Sequence, residues 1–91
     1  MEELFKEWLA NHTTLSANSI YKYSRAIVSI SNDMISERVL SASLYTITSS
    51  GDLTPFIKEI YSNASFMQKD KRGNKMYSNA LNHYYDFLKE R

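Results

Sequence analysis

The chain has 91 residues, a formal net charge of +1 and no cysteine, so it can form one domain with a modest core but neither disulfide bridges nor thiolate metal sites. No apolar run approaches the roughly 18 residues of a membrane-spanning helix, and the acidic start MEELFKEW lacks the basic residues of a secretory signal. We therefore expect a cytoplasmic protein with no membrane partner.

Apolar residues at helical spacing predict the first two helices. One face of the first helix carries Leu4, Phe5, Trp8 and Leu9. The polar run 11–14 ends this helix, and Ser16, a typical N-cap residue, predicts the start of the second. The apolar stripe of the second helix consists of Ile20, Tyr23, Ile27, Ile30 and Met34, widened by Val28 and Ile35. Lys22 and Arg25 fall on its opposite, wetter side.

Residues 36–50 follow no clear period, and we expect an irregular connection that brings Leu44 and Ile47 into the core. Thr54 as N-cap and Pro55 as the first helical residue predict the start of the third helix. The buried face of that helix is expected to consist of Phe56, Ile57, Ile60 and Tyr61.

Two further helices are predicted in the remaining third of the chain. The segment 63–72 predicts a short helix through Phe66 and Met67, which Gly73 stops. The last helix starts at about Asn74 and carries an apolar stripe of Met76, Tyr77, Ala80, Leu81, Tyr84, Phe87 and Leu88. We therefore predict an all-α fold, a single compact domain over residues 1–91 built from four or five short helices.

The sequence contains few groups from which a catalytic site could be built. His12 is predicted to lie in a loop, and His83 and Asp86 are three residues apart on the last helix. Two ligands do not make a metal site. A glycine-rich phosphate loop is excluded because Gly51 and Gly73 are the only glycines. We expect a non-catalytic module that needs no cofactor and no metal.

A basic cluster precedes the last helix, and its members are Lys69, Lys71, Arg72 and Lys75. It is either a solvated loop that keeps the domain soluble or a surface that binds phosphate beside the free N–H groups of a helix start. In the second case Asn74 and Ser78, in the first turn of the last helix, would add neutral hydrogen bonds. Lys22 and Arg25 would extend the surface if the second helix lies beside it.

Most of the seven tyrosines lie on the apolar stripes, where we expect them in the core with their hydroxyl groups at its edge. Tyr21 and Tyr85 are predicted to be the more exposed rings. An exposed ring of this kind can stack on an unpaired base, but an ordinary surface position is the simpler explanation for the two residues.

Three stretches resemble the SAM-like core-binding domain of tyrosine recombinases and phage integrases. The opening stretch FKEWLANHTTLSANSIYKYSRAIVSI matches at Phe5, Trp8, Leu9, Ser19, Ile20, Tyr23 and Ile27. LYTITSSGDLTPFIKEI is similar to the connection into the third helix of that family, and ALNHYYDFL is similar to its closing helix. This resemblance implies a SAM-like helical fold.

The stretch FMQKDKRGNKMYSNALNHYYDFL departs from the recombinase pattern. It resembles the helical N-terminal domains of restriction endonucleases of the HNH and modification-dependent types. The resemblance is carried by Phe66, Arg72, Gly73, Asn74, Tyr77, Ser78, Ala80, Leu81 and Tyr84. Both families imply the N-terminal module of a longer protein, partnered with a nuclease or recombinase catalytic domain.

In recombinases the equivalent domain grips duplex DNA through basic residues. We therefore expect a DNA-associated module that helps a restriction or recombination enzyme hold the phosphate backbone through the basic loop. The alternative is a protein–protein or self-association module of a restriction endonuclease. The near-neutral charge and the many aromatic and methionine side chains favour this alternative.

Overall fold

The computed structural model describes all residues from Met1 to Arg91 and contains five α-helices and no strand. The helices are α1 (Glu2–His12), α2 (Ala17–Ser36), α3 (Ser50–Tyr61), α4 (Ala64–Arg72) and α5 (Met76–Lys89), with a short 3-10 turn at Leu44–Thr46. Helices α2 and α5 form the central pair. Helix α1 packs against both of them, while α3 and α4 pack against α5 and against each other. The predicted all-α bundle is confirmed.

Side-chain caps explain where two of the helices begin. The Ser16 hydroxyl accepts the Ser19 N–H at 3.1 Å and starts α2 at the predicted position. The Asn63 side chain accepts the Phe66 N–H at 2.9 Å and starts α4. Each cap satisfies an N–H group that has no partner inside its own helix. The predicted starts of both helices are confirmed.

Helix α3 begins five residues earlier than the predicted first residue, Pro55. Ser49, not Thr54, is the N-cap, and its hydroxyl accepts the Asp52 N–H at 3.2 Å. Thr54 lies inside the helix and donates its hydroxyl proton to a backbone carbonyl one turn earlier. The additional turn brings Leu53 to a fully buried position. Burial of this leucine outweighs the single helical hydrogen bond that Pro55 cannot donate.

Aromatic rings from α1 and α5 meet at the centre of the core. The Phe5 ring lies edge-on against the Tyr84 ring, with centroids 5.2 Å apart, and is tilted against the Phe87 ring, with centroids 5.6 Å apart. Around these rings lie buried aliphatic side chains from α1, α2, α3 and α5, among them Leu9, Ile27, Ile30, Met34, Leu53, Ile60 and Leu81. The predicted stripe of α1 is only partly buried, because Leu4 stays 44% exposed.

The connection between α2 and α3 is held by polar groups of the core. The Tyr84 hydroxyl lies 3.1 Å from the Leu44 carbonyl oxygen and 2.9 Å from that of Ile47, and it shares its one proton between these two acceptors. The Ser31 hydroxyl accepts the Leu44 N–H at 2.9 Å, and the Tyr45 hydroxyl donates to a carbonyl of α2. The predicted irregular connection is confirmed. Leu44 is fully buried, whereas Ile47 is only half-buried.

Tyr84→Phe is expected to lower the free energy of unfolding by about 1–3 kcal/mol, because two carbonyls of the connection lose their donor while the ring stays in place. Urea denaturation followed by circular dichroism measures the change. Tyr85→Phe, at a half-buried position on the same helix, is the matched control and should stay within about 0.5 kcal/mol of the parent. Equal urea midpoints for the two variants would contradict a stabilising role of the Tyr84 hydroxyl.

A second prediction concerns alkaline pH. Burial raises the pKa of the Tyr45 and Tyr84 hydroxyls far above the ordinary value of 10.0, and the Glu2 carboxylate adds to the effect at Tyr45. The folded protein therefore keeps protons that the unfolded chain releases above about pH 10. The stabilisation is complete below that pH and is lost as the pH rises through the folded pKa values.

We expect the free energy of unfolding to fall above about pH 10 by about 1.4 kcal/mol per pH unit for each proton retained. Urea denaturation at a series of pH values measures the slope. The double variant Tyr45→Phe/Tyr84→Phe should show a shallower fall over the same pH range. An identical slope in the parent and the double variant would exclude these two hydroxyls as its cause.

Candidate nucleic-acid interface

The predicted DNA-binding residues gather at one end of the bundle, where α4 ends and α5 begins. Lys69, Lys71 and Arg72 occupy the last turn of α4 and not a loop. This position agrees with the short helix predicted over residues 63–72, whereas the description of these three residues as part of a basic loop is wrong. Their helical conformation has a physical cause, because cations in the last turn of a helix are stabilised by its dipole.

A three-residue turn, residues 73–75, joins α4 to α5. Asn74 and Lys75 both have left-handed backbone angles, with φ of 54° and 65°. The Lys75 N–H donates to the Asp70 carbonyl oxygen at 2.8 Å and closes the turn. Asn74 therefore precedes the last helix, and its predicted position in the first helical turn is wrong. Both side chains of the turn are exposed.

Gly73, the first residue of this turn, has a close neighbour. A Cβ atom at this position would lie 3.0 Å from Cε2 of Tyr77, which is closer than two carbon atoms normally approach. The Gly73 N–H donates to the Lys69 carbonyl at 3.0 Å and ends α4 at the predicted residue. The glycine thus allows the Tyr77 ring to pack against the end of α4.

The start of α5 is capped by a carboxylate from α4. Asp70 Oδ1 accepts the Ser78 N–H at 2.9 Å, and the Ser78 hydroxyl donates to the Lys75 carbonyl at 3.2 Å. The expectation that free N–H groups at this helix start would attract a phosphate is therefore wrong for Ser78. The anion at this N–H group is supplied by the chain itself.

Lys69 is also used within the fold. Its Nζ donates to Asp33 Oδ2 at 2.7 Å and to the hydroxyl of Ser29, both of which belong to α2. The same ammonium lies 4.8 Å from the centroid of the Tyr77 ring. These contacts fix the end of α4 against α2 and leave Lys69 with less freedom to reach a ligand than its neighbours have.

Helix α2 passes beside the start of α5, which is the condition under which Lys22 and Arg25 extend the basic surface. Lys22 and Arg25 line a groove of about 470 Å³ together with Met76 and Tyr77. Arg25 forms an ion pair with Glu2 at 3.4 Å. The structure therefore brings both secondary candidates to the same end of the bundle as the basic cluster.

Two further depressions border the other cations. Arg72 lines a hollow of about 570 Å³ that also contains Asp33 and Glu37. Lys71 and Lys75 line a second hollow of about 610 Å³ beside Met67. The cations therefore form an arc around the start of α5 and not one compact cluster.

Four cations of this arc are exposed and form no ion pair within the chain. The ion pairs of the protein are Lys6–Glu3, His12–Glu90, Arg25–Glu2 and Lys69–Asp33. We call the four remaining cations the basic rim: Lys22, Lys71, Arg72 and Lys75. The sequence identified all four residues, but it did not separate them from Lys69 and Arg25, which contact carboxylates.

The remaining polar side chains do not form a metal site. No group of three or more histidines, aspartates or glutamates is arranged to hold a metal ion, and none of the helices combines the length and apolarity required to cross a bilayer. His12 ends α1, where its ring stacks on Trp8 with centroids 4.9 Å apart. His83 packs against Tyr23 at 5.4 Å.

Only one of the two rings predicted to be exposed is largely free. Tyr21 is 55% exposed and lines the groove that contains Lys22 and Arg25. Tyr85 is half-buried, and the ammonium of Lys89 lies 5.7 Å from its ring centroid. The prediction of an exposed ring therefore holds for Tyr21 and is wrong for Tyr85.

No family model, curated protein or solved structure matches this chain. The resemblance to recombinase and restriction-enzyme domains therefore stays a prediction that rests on the quoted motifs.

Asp70→Ala is expected to lower the free energy of unfolding by about 1 kcal/mol, because the Ser78 N–H loses its cap. Asp70→Asn should retain most of the stability, since its amide oxygen can still accept the hydrogen bond. Asp86→Ala, at an exposed position later in α5, is the matched control. Thermal unfolding of the three variants measures the difference, and a loss in Asp86→Ala as large as that in Asp70→Ala would argue against the cap.

Proposed function

We propose that this protein is a non-catalytic, DNA-associated helical module that helps a restriction or recombination enzyme hold duplex DNA. The observation that carries the proposal is the basic rim. Its four cations are exposed, unpaired and arranged around the start of one helix. Cations of this kind neutralise backbone phosphates and release counterions, which supplies affinity without reading the base sequence.

The nearly neutral net charge of +1 makes the attraction local. Lysines at three of the four rim positions act as flexible point charges that follow a phosphate backbone, and Arg72 can also form a bidentate contact. Asp33 and Glu37 border the Arg72 hollow and repel phosphate there. We therefore assign the principal contacts to Lys71 and Lys75, whose hollow contains one carboxylate, Asp70, which already accepts the Ser78 N–H.

The other predicted site residues have secondary roles in this proposal. Lys69 and Arg25 orient the surface through their ion pairs with Asp33 and Glu2. The exposed amide of Asn74 is available to donate a neutral hydrogen bond to a phosphate oxygen. Ser78 is half-buried, and its hydroxyl already donates within the chain.

The resemblance supports the kind of partner. Restriction-type and recombinase-type domains of this sequence pattern accompany a nuclease or recombinase catalytic domain, and we propose that catalysis resides in such a partner. The module would raise the affinity of the whole enzyme for DNA by adding a second, sequence-independent contact. Linking two binding modules increases the total affinity without a new contact at the catalytic domain.

A protein–protein or self-association module is the second candidate. It is favoured by Met67, which is 57% exposed beside the Lys71 and Lys75 hollow. Methionine adapts its shape to apolar partners and is frequent at interaction surfaces. This candidate predicts a concentration-dependent dimer in analytical ultracentrifugation and no salt-sensitive binding of DNA.

The DNA-binding proposal predicts that the parent protein binds a short labelled duplex with a log–log salt slope of about −3 to −4, one counterion term for each rim cation. Fluorescence anisotropy at several salt concentrations measures the slope. The triple variant Lys71→Gln/Arg72→Gln/Lys75→Gln should reduce the slope to about −1 and weaken binding to every sequence equally.

A control variant distinguishes the effect of the rim positions on DNA affinity from the effect of net charge. Lys58→Gln/Lys89→Gln/Arg91→Gln removes the same number of charges from α3 and from the far end of α5, about 20 Å from the rim along that helix. It should keep most of the affinity and nearly the parent slope. The proposal fails if both triple variants lose affinity equally or if the parent does not bind at low salt.

A further inference from the structure

The groove beside the basic rim combines aromatic and cationic side chains. It encloses about 470 Å³ between α2 and the start of α5 and is lined by Tyr21, Lys22, Arg25, Met76 and Tyr77, among others. This volume lies within the range of sites that hold small organic ligands. Two rings and two cations on the walls fit a planar group that carries a negative charge.

One wall of the groove is firmly held. The Tyr77 ring packs against Gly73 and lies 4.8 Å from the ammonium of Lys69. Lys69 is in turn bound to Asp33 on α2. Because these contacts connect α4, α5 and α2, the position of the Tyr77 ring is fixed by the fold and does not depend on a ligand.

The opposite wall is open. Tyr21 is 55% exposed on α2, one residue before the rim lysine Lys22. Most large apolar rings of this chain are buried or half-buried, whereas this ring faces the solvent. A half-exposed aromatic ring beside cations is the usual platform for a stacked base.

Cations are available at the same wall. Lys22 is exposed and unpaired, as a member of the basic rim. Arg25 uses one guanidinium nitrogen for Glu2, and its side chain stays 52% exposed. The other guanidinium donors of Arg25 are therefore free to bind a phosphate oxygen.

We propose that this groove binds one unstacked nucleotide of DNA, with the base against Tyr21 and the adjacent phosphate between Lys22 and Arg25. The inference rests on the proposed function, since Lys22 belongs to both the groove and the basic rim, and it deepens that function by naming the form of DNA. The module then prefers DNA with an unpaired nucleotide over a fully matched duplex. Charge alone would equally admit an acidic peptide, but the open ring beside the cations favours a base, whose planar face can stack on it.

Anisotropy titrations of the full chain at one salt concentration test the preference with three labelled probes. These are a matched duplex, the same duplex with one unpaired thymidine, and a single-stranded oligothymidine. We expect the two probes with unpaired nucleotides to bind about tenfold more tightly than the matched duplex, the effect of stacking one base.

Variants locate the preference in the groove. Tyr21→Ala should abolish it and leave binding of the matched duplex unchanged, whereas Tyr21→Phe should keep it because the ring remains. Tyr85→Ala, at the half-buried tyrosine covered by Lys89, is the control and should keep the preference. Thermal unfolding of each variant verifies that the fold is retained, as expected at a position that is 55% exposed. Tyr21→Leu, which removes the ring but keeps an apolar side chain, should also abolish the preference and tests the groove if Tyr21→Ala unfolds.

The outcomes separate this inference from the proposed function. Binding of the matched duplex without any preference overturns the nucleotide groove and leaves the backbone contact intact. Absence of binding to all three probes overturns both. A preference that survives Tyr21→Ala overturns the location of the site. Tyr21-dependent binding of a labelled glutamate-rich peptide, without preference among the DNA probes, overturns the nucleotide and identifies a peptide groove.

Discussion

The Tyr84 side chain is the contact on which the rest of this fold depends. Its ring packs edge-on against Phe5 in the core, and its hydroxyl binds carbonyls of the connection that precedes α3. A connection without regular structure does not pair its own backbone N–H and C=O groups, and burying these groups without hydrogen-bond partners would be unfavourable. One residue of α5 therefore binds two carbonyls of the segment between α2 and α3, while Ser31 of α2 accepts the Leu44 N–H of the same segment.

Neighbouring residues at the end of α4 differ in whether they contact the rest of the fold or the solvent. Lys69 and Asp70 are directed into the fold, where the first binds α2 and the second caps α5. Lys71 and Arg72 follow immediately and are exposed. Successive residues of an α-helix point about 100° apart, so a short charged run is divided between internal and external contacts. The helix thus supports the surface with the same stretch of sequence that supplies its charge.

Much of the fold could be predicted because its signals are local. The apolar stripes and the cap at Ser16 act within one or two helical turns, and the predicted helices follow them. The predicted start of α3 was wrong because Thr54 and Pro55 form the stronger local signal for a helix start. The burial of Leu53, which favours the earlier start, depends on packing against other helices. The candidate site shows the same division. The sequence identifies every cation of the site. The hydrogen-bonded ion pair between Lys69 and Asp33, however, joins residues 36 positions apart, so no local sequence pattern predicts it.

In the left-handed turn between α4 and α5, backbone stability and positive charge favour different residues at position 75. Lys75 carries a side chain at a φ of 65°, a backbone conformation that disfavours residues other than glycine by about 1 kcal/mol. Glycine at this position would relax the backbone but remove a charge from the rim. Stability and electrostatic attraction therefore favour different residues at the same position, so a variant optimised for thermal resistance alone would lose part of its positive surface there.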